Sequence, residues 1–361
     1  MTTLTINQLE TAAFAEQILD AELYESVLDE TFSLISVLHA AYRIRQSWFG
    51  NKVQVHIINN IQNGLCPENC KYCAQAVDSA APIEKYRMKS EDEIISEAKR
   101  AYESGAFRYC MVASGRGPSE KQVEFYSGVI QKIKANYPIQ VCLSSGLMGS
   151  DATTKLKAAG LDRLNHNLNT SEENYAEICS THTFQDRLNT LKAGADAGIE
   201  LCSGIIVGMG ESNADLVSLA LQLRKLNVQS IPVNFYLPIE GTNLAAPHSL
   251  TPEKCLRILA LFRFLNPQAE LRVAAGREYH LRSLQPMAFF AANSLFLDGY
   301  LNAKGSDAAN TYQMLKDAGF EIDSSFTIDE LSAESDLVGV GPSGSEFDIK
   351  IKSKADLRPT L

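Results

Sequence analysis

Asn63-Gly64-Leu65-Cys66-Pro67-Glu68-Asn69-Cys70-Lys71-Tyr72-Cys73 is the stretch that decides the fold and the chemistry of this chain. Its three cysteines stand at C-x3-C-x2-C spacing within eight residues, which is too crowded for a disulfide framework. Structural zinc usually takes four protein ligands, so the set is one ligand short of a closed zinc site. Cysteine thiolates also hold iron–sulfur clusters, and three of them suit a four-iron cluster whose fourth iron stays free. The spacing therefore predicts a cluster with one position open to a small molecule.

The cysteine stretch stands at the start of a regular alternation of strands and helices. Val53–Ile58 is the first predicted strand, and it leads directly into the cysteines. The later predicted strands are residues 107–113, 139–145, 163–168, 199–207, 230–236, 270–275 and 294–297. Parallel strands need crossover connections, and helical patterns separate these strands. Eight repeats favour an α/β fold of the closed (β/α)8 TIM-barrel type over the alternative, a doubly wound open sheet.

Three segments follow from this alternation. Residues 1–50 are predicted to be an N-terminal helical segment, and residues 51–321 to form the barrel. Residues 322–361 are rich in Ser, Asp and Gly, so we expect an irregular tail that is partly disordered, with strand-like alternation at 347–352. Active sites of such barrels lie at the C-terminal ends of the strands, which places the cysteine stretch on the functional rim.

Composition narrows the class of protein. Hydrophobic residues make up 45% of the 361 residues, enough for a sizeable core. The net charge of −10 argues against nucleic acid or an anionic membrane as a partner. Residues 1–19 do not have the pattern of a secretory signal, and no apolar run is long enough to span a bilayer. We therefore expect a cytoplasmic protein, in which eight cysteines indicate metal binding or catalysis rather than disulfides.

Three further cysteines lie in the middle of predicted strands. Cys110, Cys142 and Cys202 belong to the second, third and fifth strands, and Arg272 lies in the seventh. Because side chains alternate along a strand, all four can point into the barrel together. A buried cysteine is more often a small packing residue, but an arginine in a barrel strand is rarely buried without a partner. The set predicts a second metal site inside the barrel.

Amide side chains form another group. Alternation along the fourth strand places Asn165, Asn167 and Asn169 on one face. Buried amides need hydrogen-bond partners, which a polyhydroxylated or ureido ligand would supply. The alternative is an exposed strand end. Asn234, at the end of the sixth strand, is a similar inward amide, with a purely structural role as its alternative.

The remaining candidates lie in helices. Arg187 stands at the start of the helix after the asparagine strand, where its guanidinium is suited to bind a substrate carboxylate through two hydrogen bonds. The alternative for Arg187 is a solvated helix charge. Cys179 and Cys255 also lie in segments predicted to be helical, and we interpret both as packing residues.

With these residues in place, the chain resembles the biotin synthase family of radical S-adenosylmethionine enzymes from about residue 41 to residue 320. The resemblance is carried by Gly64–Cys73, Tyr109-Cys110-Met111-Val112-Ala113-Ser114-Gly115-Arg116-Gly117, Asn165-His166-Asn167-Leu168-Asn169-Thr170, Cys202-Ser203-Gly204-Ile205-Ile206-Val207-Gly208 and Arg272-Val273-Ala274-Ala275-Gly276-Arg277-Glu278. The cysteine stretch alone is specific for the superfamily, and the strand cysteines, Arg272 and the asparagine strand narrow it to this family. Where we expect an acidic residue contacting ribose, this chain has Asn169, which can donate or accept a hydrogen bond.

The resemblance implies a sulfurtransferase that inserts sulfur into dethiobiotin in the last step of biotin biosynthesis. Cys66, Cys70 and Cys73 would hold a [4Fe-4S] cluster at which S-adenosylmethionine is cleaved to a 5′-deoxyadenosyl radical. An auxiliary [2Fe-2S] cluster, the sulfur donor, would be held by the strand residues Cys110, Cys142, Cys202 and Arg272. The implied contacts to S-adenosylmethionine are Tyr72, Asn167, Asn169 and Arg187, and those to dethiobiotin are Asn165, Asn167 and Asn234. The implied partners are a reduced flavodoxin- or ferredoxin-type electron donor and a second copy in a homodimer.

Two other readings stay open at this point. One is a related radical barrel of different chemistry, such as a hydrogenase maturase-like or methylornithine synthase-like enzyme, which we expect to lack the full set of strand cysteines and Arg272. The other is a non-catalytic iron–sulfur or zinc protein that carries electrons or metal, which would not cleave S-adenosylmethionine.

Overall fold

Parallel strands close into a barrel in the computed structural model, which describes residues 5–244, 250–333 and 349–359. The strands are β1 Lys52–Gln62, β2 Arg108–Ala113, β3 Gln140–Ser144, β4 Arg163–Asn165, β5 Glu200–Cys202, β6 Ile205–Val207, β7 Ser230–Phe235, β8 Glu270–Val273, β9 Ser294–Phe296 and β10 Glu321–Ile322. The order around the barrel is β1-β2-β3-β4-β5-β7-β8-β9, and β9 pairs back with β1. The predicted (β/α)8 architecture is confirmed.

Helices surround the barrel, as the crossovers between parallel strands require. They are α1 Ile6–Phe14, α2 Ala21–Leu28, α3 Leu34–Phe49, α4 Glu91–Glu103, α5 Glu120–Asn136, α6 Ser150–Ala158, α7 Glu172–Ile178, α8 Phe184–Asp196, α9 Asn213–Lys225, α10 Pro252–Leu265, α11 Arg277–Leu281, α12 Ala308–Asp317, α13 Ile328–Ala333 and α14 Lys354–Leu357. A 3-10 helix, Arg282–Phe290, follows α11.

Local sequence sets where several crossover helices begin. α4, α5, α8 and α9 each begin with a capping box. In this motif the hydroxyl of the cap residue and the side chain three residues later each accept a hydrogen bond from the other residue's backbone amide. Pro252 occupies the first turn of α10, where its missing amide proton costs nothing, and Thr251 caps that helix. These starts fix where each crossover returns to the sheet.

Two predicted strands are shorter or broken. β4 ends at Asn165, although the prediction ran to residue 168, and Asn169 has a left-handed φ of 71° that a strand does not accommodate. The predicted strand 199–207 divides into β5 and β6 around Gly204. A Cβ at Gly204 would lie 1.9 Å from the Pro232 carbonyl oxygen, so the backbones of β5–β6 and β7 approach there more closely than any side chain allows. The short helix α7 was not predicted.

The N-terminal helices and the C-terminal residues both pack on the barrel. α3 and α2 pack against α10, and β10 pairs with the start of β1 outside the barrel. The predicted irregular tail covers residues 322–361, and its described parts, 322–333 and 349–359, contain α13 and α14. The rest of that tail, including Phe347 and Asp348 of the predicted edge strand, lies outside the described residues. Further on, Ile351 forms an antiparallel bridge with Ala303, and the Lys89 ammonium donates to the Leu357 carbonyl at 2.5 Å.

Candidate active site

A cavity of about 280 Å³ opens at the C-terminal ends of the barrel strands, and Cys66, Cys70 and Cys73 line one side of it. The cysteines follow β1, whose pairing with β2 and β9 fixes the point at which the chain leaves the barrel. The cysteine stretch therefore lies on the rim, as predicted.

Glu68 and Asn69 anchor this loop to the loop between α7 and α8. The Glu68 carboxylate accepts from Thr181 Oγ1 at 2.5 Å, lies 2.5 Å from His182 Nδ1 and pairs with Arg116 at 3.1 Å. Burial opposes ionisation, but these hydrogen bonds hold the pKa of Glu68 below its ordinary value. The Asn69 side chain bonds the backbone amide of Thr181 as well. The loop is thus positioned by its own polar residues before any ligand binds.

The loop thiols favour the neutral form while no metal is bound. Burial raises the pKa of Cys66 and raises that of Cys73 to about 11. Contact with the Cys179 thiol, together with burial, raises the pKa of Cys70. Thiols in such a setting become ligands when a metal supplies the positive charge that stabilises the thiolate. Among the described residues, the sulfur atoms of this set of three are not gathered as closely as the ligands of a single ion would be. Three spread thiols beside a cavity fit a [4Fe-4S] cluster.

Tyr72, Asn169 and Arg187 form the wall beside the loop. The Asn169 side-chain amide donates to the Tyr72 phenol oxygen at 2.5 Å. The Arg187 guanidinium is buried, donates to the Asn167 carbonyl at 2.8 Å and bonds the Tyr175 phenol. The structure therefore brings Arg187 to the cavity and rejects the alternative of a solvated helix charge.

The other asparagines lie deeper in the cavity. Asn165 Nδ2 donates to Asn167 Oδ1 at 3.1 Å and lies 3.2 Å from Cys202 Sγ, while the Gly204 amide also donates to Asn167 Oδ1. Asn234 bridges two strands, donating to the Ile205 carbonyl and accepting from the Ala275 amide. All three side chains line the cavity, and each amide keeps hydrogen-bonding capacity beyond these contacts.

The floor of the barrel holds the strand cysteines and Arg272. Cys110 and Cys142 lie directly opposite each other on β2 and β3, and Cys202 on β5 is buried with them. Arg272 Nη1 lies 3.8 Å from Cys202 Sγ, and Arg272 Nε is fully buried with no hydrogen-bond partner among the described residues. A buried donor without a partner is costly. Three thiols and an orphaned guanidinium N–H around a small cavity fit an auxiliary cluster such as [2Fe-2S].

Glu270 supports the floor from below. Its Oε2 accepts from Arg108 at 2.8 Å and from Arg163 at 2.7 Å, and its Oε1 bonds Arg272 and lies 3.0 Å from His56 Nε2. Burial alone would raise the pKa of Glu270, but Arg108, Arg272 and His56 hold it well below its ordinary value. One buried carboxylate thus offsets part of the positive charge of the arginines beneath the cysteines and orients them.

The large cavity at the rim and the small cavity at the floor share lining residues. Asn165 and Tyr300 line both the large cavity and the small floor cavity. The Tyr300 ring packs edge-on against Phe296 at 5.4 Å between centroids. A ligand in the large cavity therefore lies between the two thiol sites.

Sequence reasoning missed four polar residues of these sites. Glu68 and His182 hold the rim loop, Glu270 holds Arg272, and Cys179 lies 3.7 Å from Cys70 between sulfur atoms. Cys255 is buried in α10, as a packing residue would be, and Cys179 is buried too but is also a neighbour of the loop. Glu270 stands two residues before Arg272 on the same strand face, which is the one signal that could have found it.

Family models match most of the barrel. Residues 61–223 match the Radical SAM superfamily, and residues 232–321 match the Biotin and Thiamin Synthesis associated domain. No helix in the described part of the chain is long and apolar enough to cross a membrane.

Two solved structures share the fold at low identity. The FeFe-hydrogenase maturase HydG from Carboxydothermus hydrogenoformans aligns with a TM-score of 0.76 at 18% identity, over 91% of this chain and 81% of that chain. Methylornithine synthase (PylB) aligns with a TM-score of 0.73 at 17% identity, over 90% of this chain and 99% of that chain. At these identities the likeness shows the fold alone.

Curated relatives are far closer in sequence. Biotin synthase of Acaryochloris marina is 54% identical over 294 residues, 81% of this chain and 85% of that protein. Biotin synthase of Magnetococcus marinus is 52% identical over 313 residues, 86% of this chain and 98% of that protein. The two thiol sites, the two matched domains and this identity over most of the sequence lead to one conclusion: the chain belongs to the biotin synthase family of radical S-adenosylmethionine enzymes.

Proposed function

We propose that this chain inserts sulfur into dethiobiotin to form biotin, with the rim site generating the radical and the floor site holding the sulfur source. The observation that carries the proposal is the placement of two separate thiol sets at two neighbouring cavities, with Asn165 and Tyr300 lining both. A protein that only carried electrons would not need a ligand-sized cavity between its thiol sites.

The rim residues would generate the radical. Cys66, Cys70 and Cys73 would hold the [4Fe-4S] cluster, which when bound supplies the electron that cleaves S-adenosylmethionine to methionine and a 5′-deoxyadenosyl radical. Tyr72, Asn167, Asn169 and Arg187 would bind S-adenosylmethionine. The guanidinium of Arg187 is held in place by Tyr175 and the Asn167 carbonyl, which suits it to bind a carboxylate at a fixed position.

The floor residues would hold the sulfur source. Cys110, Cys142, Cys202 and Arg272 would bind the auxiliary [2Fe-2S] cluster, which supplies sulfur when bound. Contact between Cys202 and Cys142, and the nearby Arg272, hold the pKa of Cys202 well below its ordinary value despite burial, which favours a thiolate ligand there. The orphaned Arg272 Nε would gain a partner on loading, because it has no acceptor in the part of the chain that the structure describes.

Dethiobiotin would occupy the cavity between these sites. Asn165, Asn167 and Asn234 would bind its ureido ring, because amides can donate to a ureido carbonyl and accept from its N–H groups. The apolar part of the cavity wall would exclude water from the carbon atoms that react.

The cellular setting is part of the proposal. A reduced flavodoxin- or ferredoxin-type protein would supply electrons singly, as the cleavage step requires. A homodimer is supported by apolar side chains exposed on and beside the N-terminal helices, among them Ile18, Ile35 and Trp48. A cytoplasmic location suits thiols that are all unpaired.

Anaerobic reconstitution with iron and sulfide, followed by S-adenosylmethionine, reductant and dethiobiotin, tests the function. We expect both 5′-deoxyadenosine and biotin. Formation of 5′-deoxyadenosine without biotin would support cleavage of S-adenosylmethionine but contradict sulfur insertion. Failure to form either product would favour a non-catalytic metal protein. Cys142→Ala should abolish biotin while the spectroscopic signal of the rim cluster persists. Cys255→Ala, which changes a buried cysteine of α10, is the matched control and should keep both products.

A further inference from the structure

A second arrangement of metal ligands shares Cys70 with the rim site. Cys179 directly follows α7, and its Sγ lies 3.7 Å from Cys70 Sγ and 3.3 Å from His182 Nδ1. Among the described residues, Cys70, Cys179 and His182 are the one group of three possible ligands whose donor atoms all lie within 4.8 Å of one another. All three residues are buried.

Two of the three separations between these ligands match those around a single tetrahedral ion. Metal–sulfur bonds of about 2.3 Å and metal–nitrogen bonds of about 2.0–2.1 Å place tetrahedral ligands about 3.8 Å apart for two sulfurs and about 3.5 Å apart for sulfur and nitrogen. The observed 3.7 Å and 3.3 Å are close to these values without any movement of the backbone. Thiolate and imidazole are the ligands that zinc and ferrous iron share.

The imidazole of His182 is already held for such a role. Arg187 Nη2 donates to His182 Nε2 at 2.8 Å, so Nε2 accepts and Nδ1 carries the proton, which faces Glu68 at 2.5 Å. An ion bound to Cys179 would displace that proton and take Nδ1 as a ligand, while Arg187 keeps the ring in place. Partners of this kind orient the ligands of natural metal sites.

We propose that in the cluster-free chain Cys70, Cys179 and His182 bind one divalent ion of the zinc and ferrous iron class. Cys70 cannot serve this ion and the rim cluster at once, so the ion would compete with cluster assembly. The competition with cluster assembly rests on the proposed role of Cys70 as a cluster ligand, whereas binding of the ion does not.

Cobalt(II), a coloured substitute for zinc, tests the site in the full chain. Anaerobic, metal-free protein carrying Cys142→Ala, which removes the middle thiol of the floor set and is the background for the variants below, should show one equivalent of tetrahedral cobalt with a thiolate charge-transfer band. Cys179→Ala should weaken cobalt binding by at least about tenfold, the range seen when even an outer-shell partner is removed. Cys66→Ala is the matched control, because it removes a loop thiol outside the triad and should leave the band unchanged.

Two outcomes would overturn the proposal: a band unchanged in Cys179→Ala, or a band lost in Cys66→Ala, which would place the ion on the loop cysteines. If Cys179→Ala does not fold by circular dichroism, Cys179→Ser replaces it, and retention of the full charge-transfer intensity would likewise contradict the site. Prior zinc loading should slow cluster reconstitution in the wild type and not in the Cys179 variant. The cobalt titration uses no S-adenosylmethionine or dethiobiotin, so its result is independent of whether biotin forms.

Discussion

The Asn169 side-chain amide donates a hydrogen bond of 2.5 Å to the Tyr72 phenol oxygen, and this bond joins the cysteine loop to the barrel. The backbone of Asn169 is itself fixed, because its backbone N–H donates to the Gly204 carbonyl and its backbone carbonyl accepts from the Ile206 N–H. Its left-handed φ of 71° is one that asparagine tolerates better than most residues. Tyr72, between Cys70 and Cys73, is therefore held by a residue whose backbone is bonded to β6.

Tyr72→Phe should weaken binding of S-adenosylmethionine to the reconstituted protein. The substitution removes the phenol oxygen and leaves the Asn169 amide without its partner, at a cost of about 1–3 kcal/mol for a buried donor. The free protein bears this cost as well, so only a part of it enters Kd, and we expect a rise in Kd of no more than roughly 150-fold. Anaerobic calorimetry with S-adenosylmethionine measures it.

The control for this variant is Tyr86→Phe. Tyr86 also loses one phenol hydrogen bond, to the Asn60 carbonyl at 2.7 Å, but it does not line the cavity. An equal loss of affinity in both variants would show that the effect comes from general destabilisation and not from the wall beside the loop.

Glu270→Gln should damage the floor site selectively. The amide keeps the shape of the carboxylate but leaves the buried charges of Arg108 and Arg272 uncompensated and Arg163 with Glu200 alone, and breaking a buried ion pair costs about 3–5 kcal/mol. We expect the auxiliary cluster to load substoichiometrically while the rim cluster loads normally. Mössbauer or electron paramagnetic resonance spectroscopy distinguishes the two clusters.

Glu200→Gln is the matched control. Glu200 pairs with Arg163 as well, but its side chain is 54% exposed, and solvent screens the lost charge. If both variants lose the auxiliary cluster to the same extent, the role of Glu270 in positioning Arg272 is wrong.

Low pH should remove the stabilisation that the ionised Glu270 carboxylate gives to the folded protein. Its folded pKa lies well below 4.5, so the unfolded chain takes up the proton first as the pH falls. The stabilisation is complete above that value and is lost at lower pH, by up to about 1.4 kcal/mol per pH unit. The difference in unfolding free energy between wild type and Glu270→Gln should therefore shrink between about pH 4.5 and pH 3. Urea denaturation across this range measures it, and a constant difference would contradict the assignment.

The fold was predictable because its signals are local. Strand and helix periods, glycine stops and the capping residues all act within a few positions, and they placed every barrel strand. The break at Gly204 was not predictable, because it depends on the Pro232 carbonyl of a neighbouring strand. α7 is short and lies in a connection where the sequence shows only a weak period.

The site was predictable where residue type alone restricts the chemistry. Closely spaced cysteines and an arginine in a barrel strand are rare enough to stand out, and the structure brings all of them to one cavity or its floor. Glu68, Cys179 and His182 come together through a contact between residues more than 100 positions apart. No spacing in the sequence reports such a contact.

Gly204→Ala should destabilise the barrel and disturb the asparagine face together. A Cβ there would lie 1.9 Å from the Pro232 carbonyl, so β5–β6 and β7 would have to separate, at a cost of at least about 2 kcal/mol. The Gly204 amide also donates to Asn167 Oδ1 at 3.0 Å, so the same movement displaces a side chain of the cavity. Gly128→Ala is the contrasting variant: it lies inside α5 with no atom within 4 Å of the new Cβ, and we expect it to stabilise the protein by about 0.5–1 kcal/mol. Thermal unfolding of both variants measures the two effects, and a Gly204→Ala protein as stable as the wild type would mean that the close approach of these strands is not needed to hold Asn167.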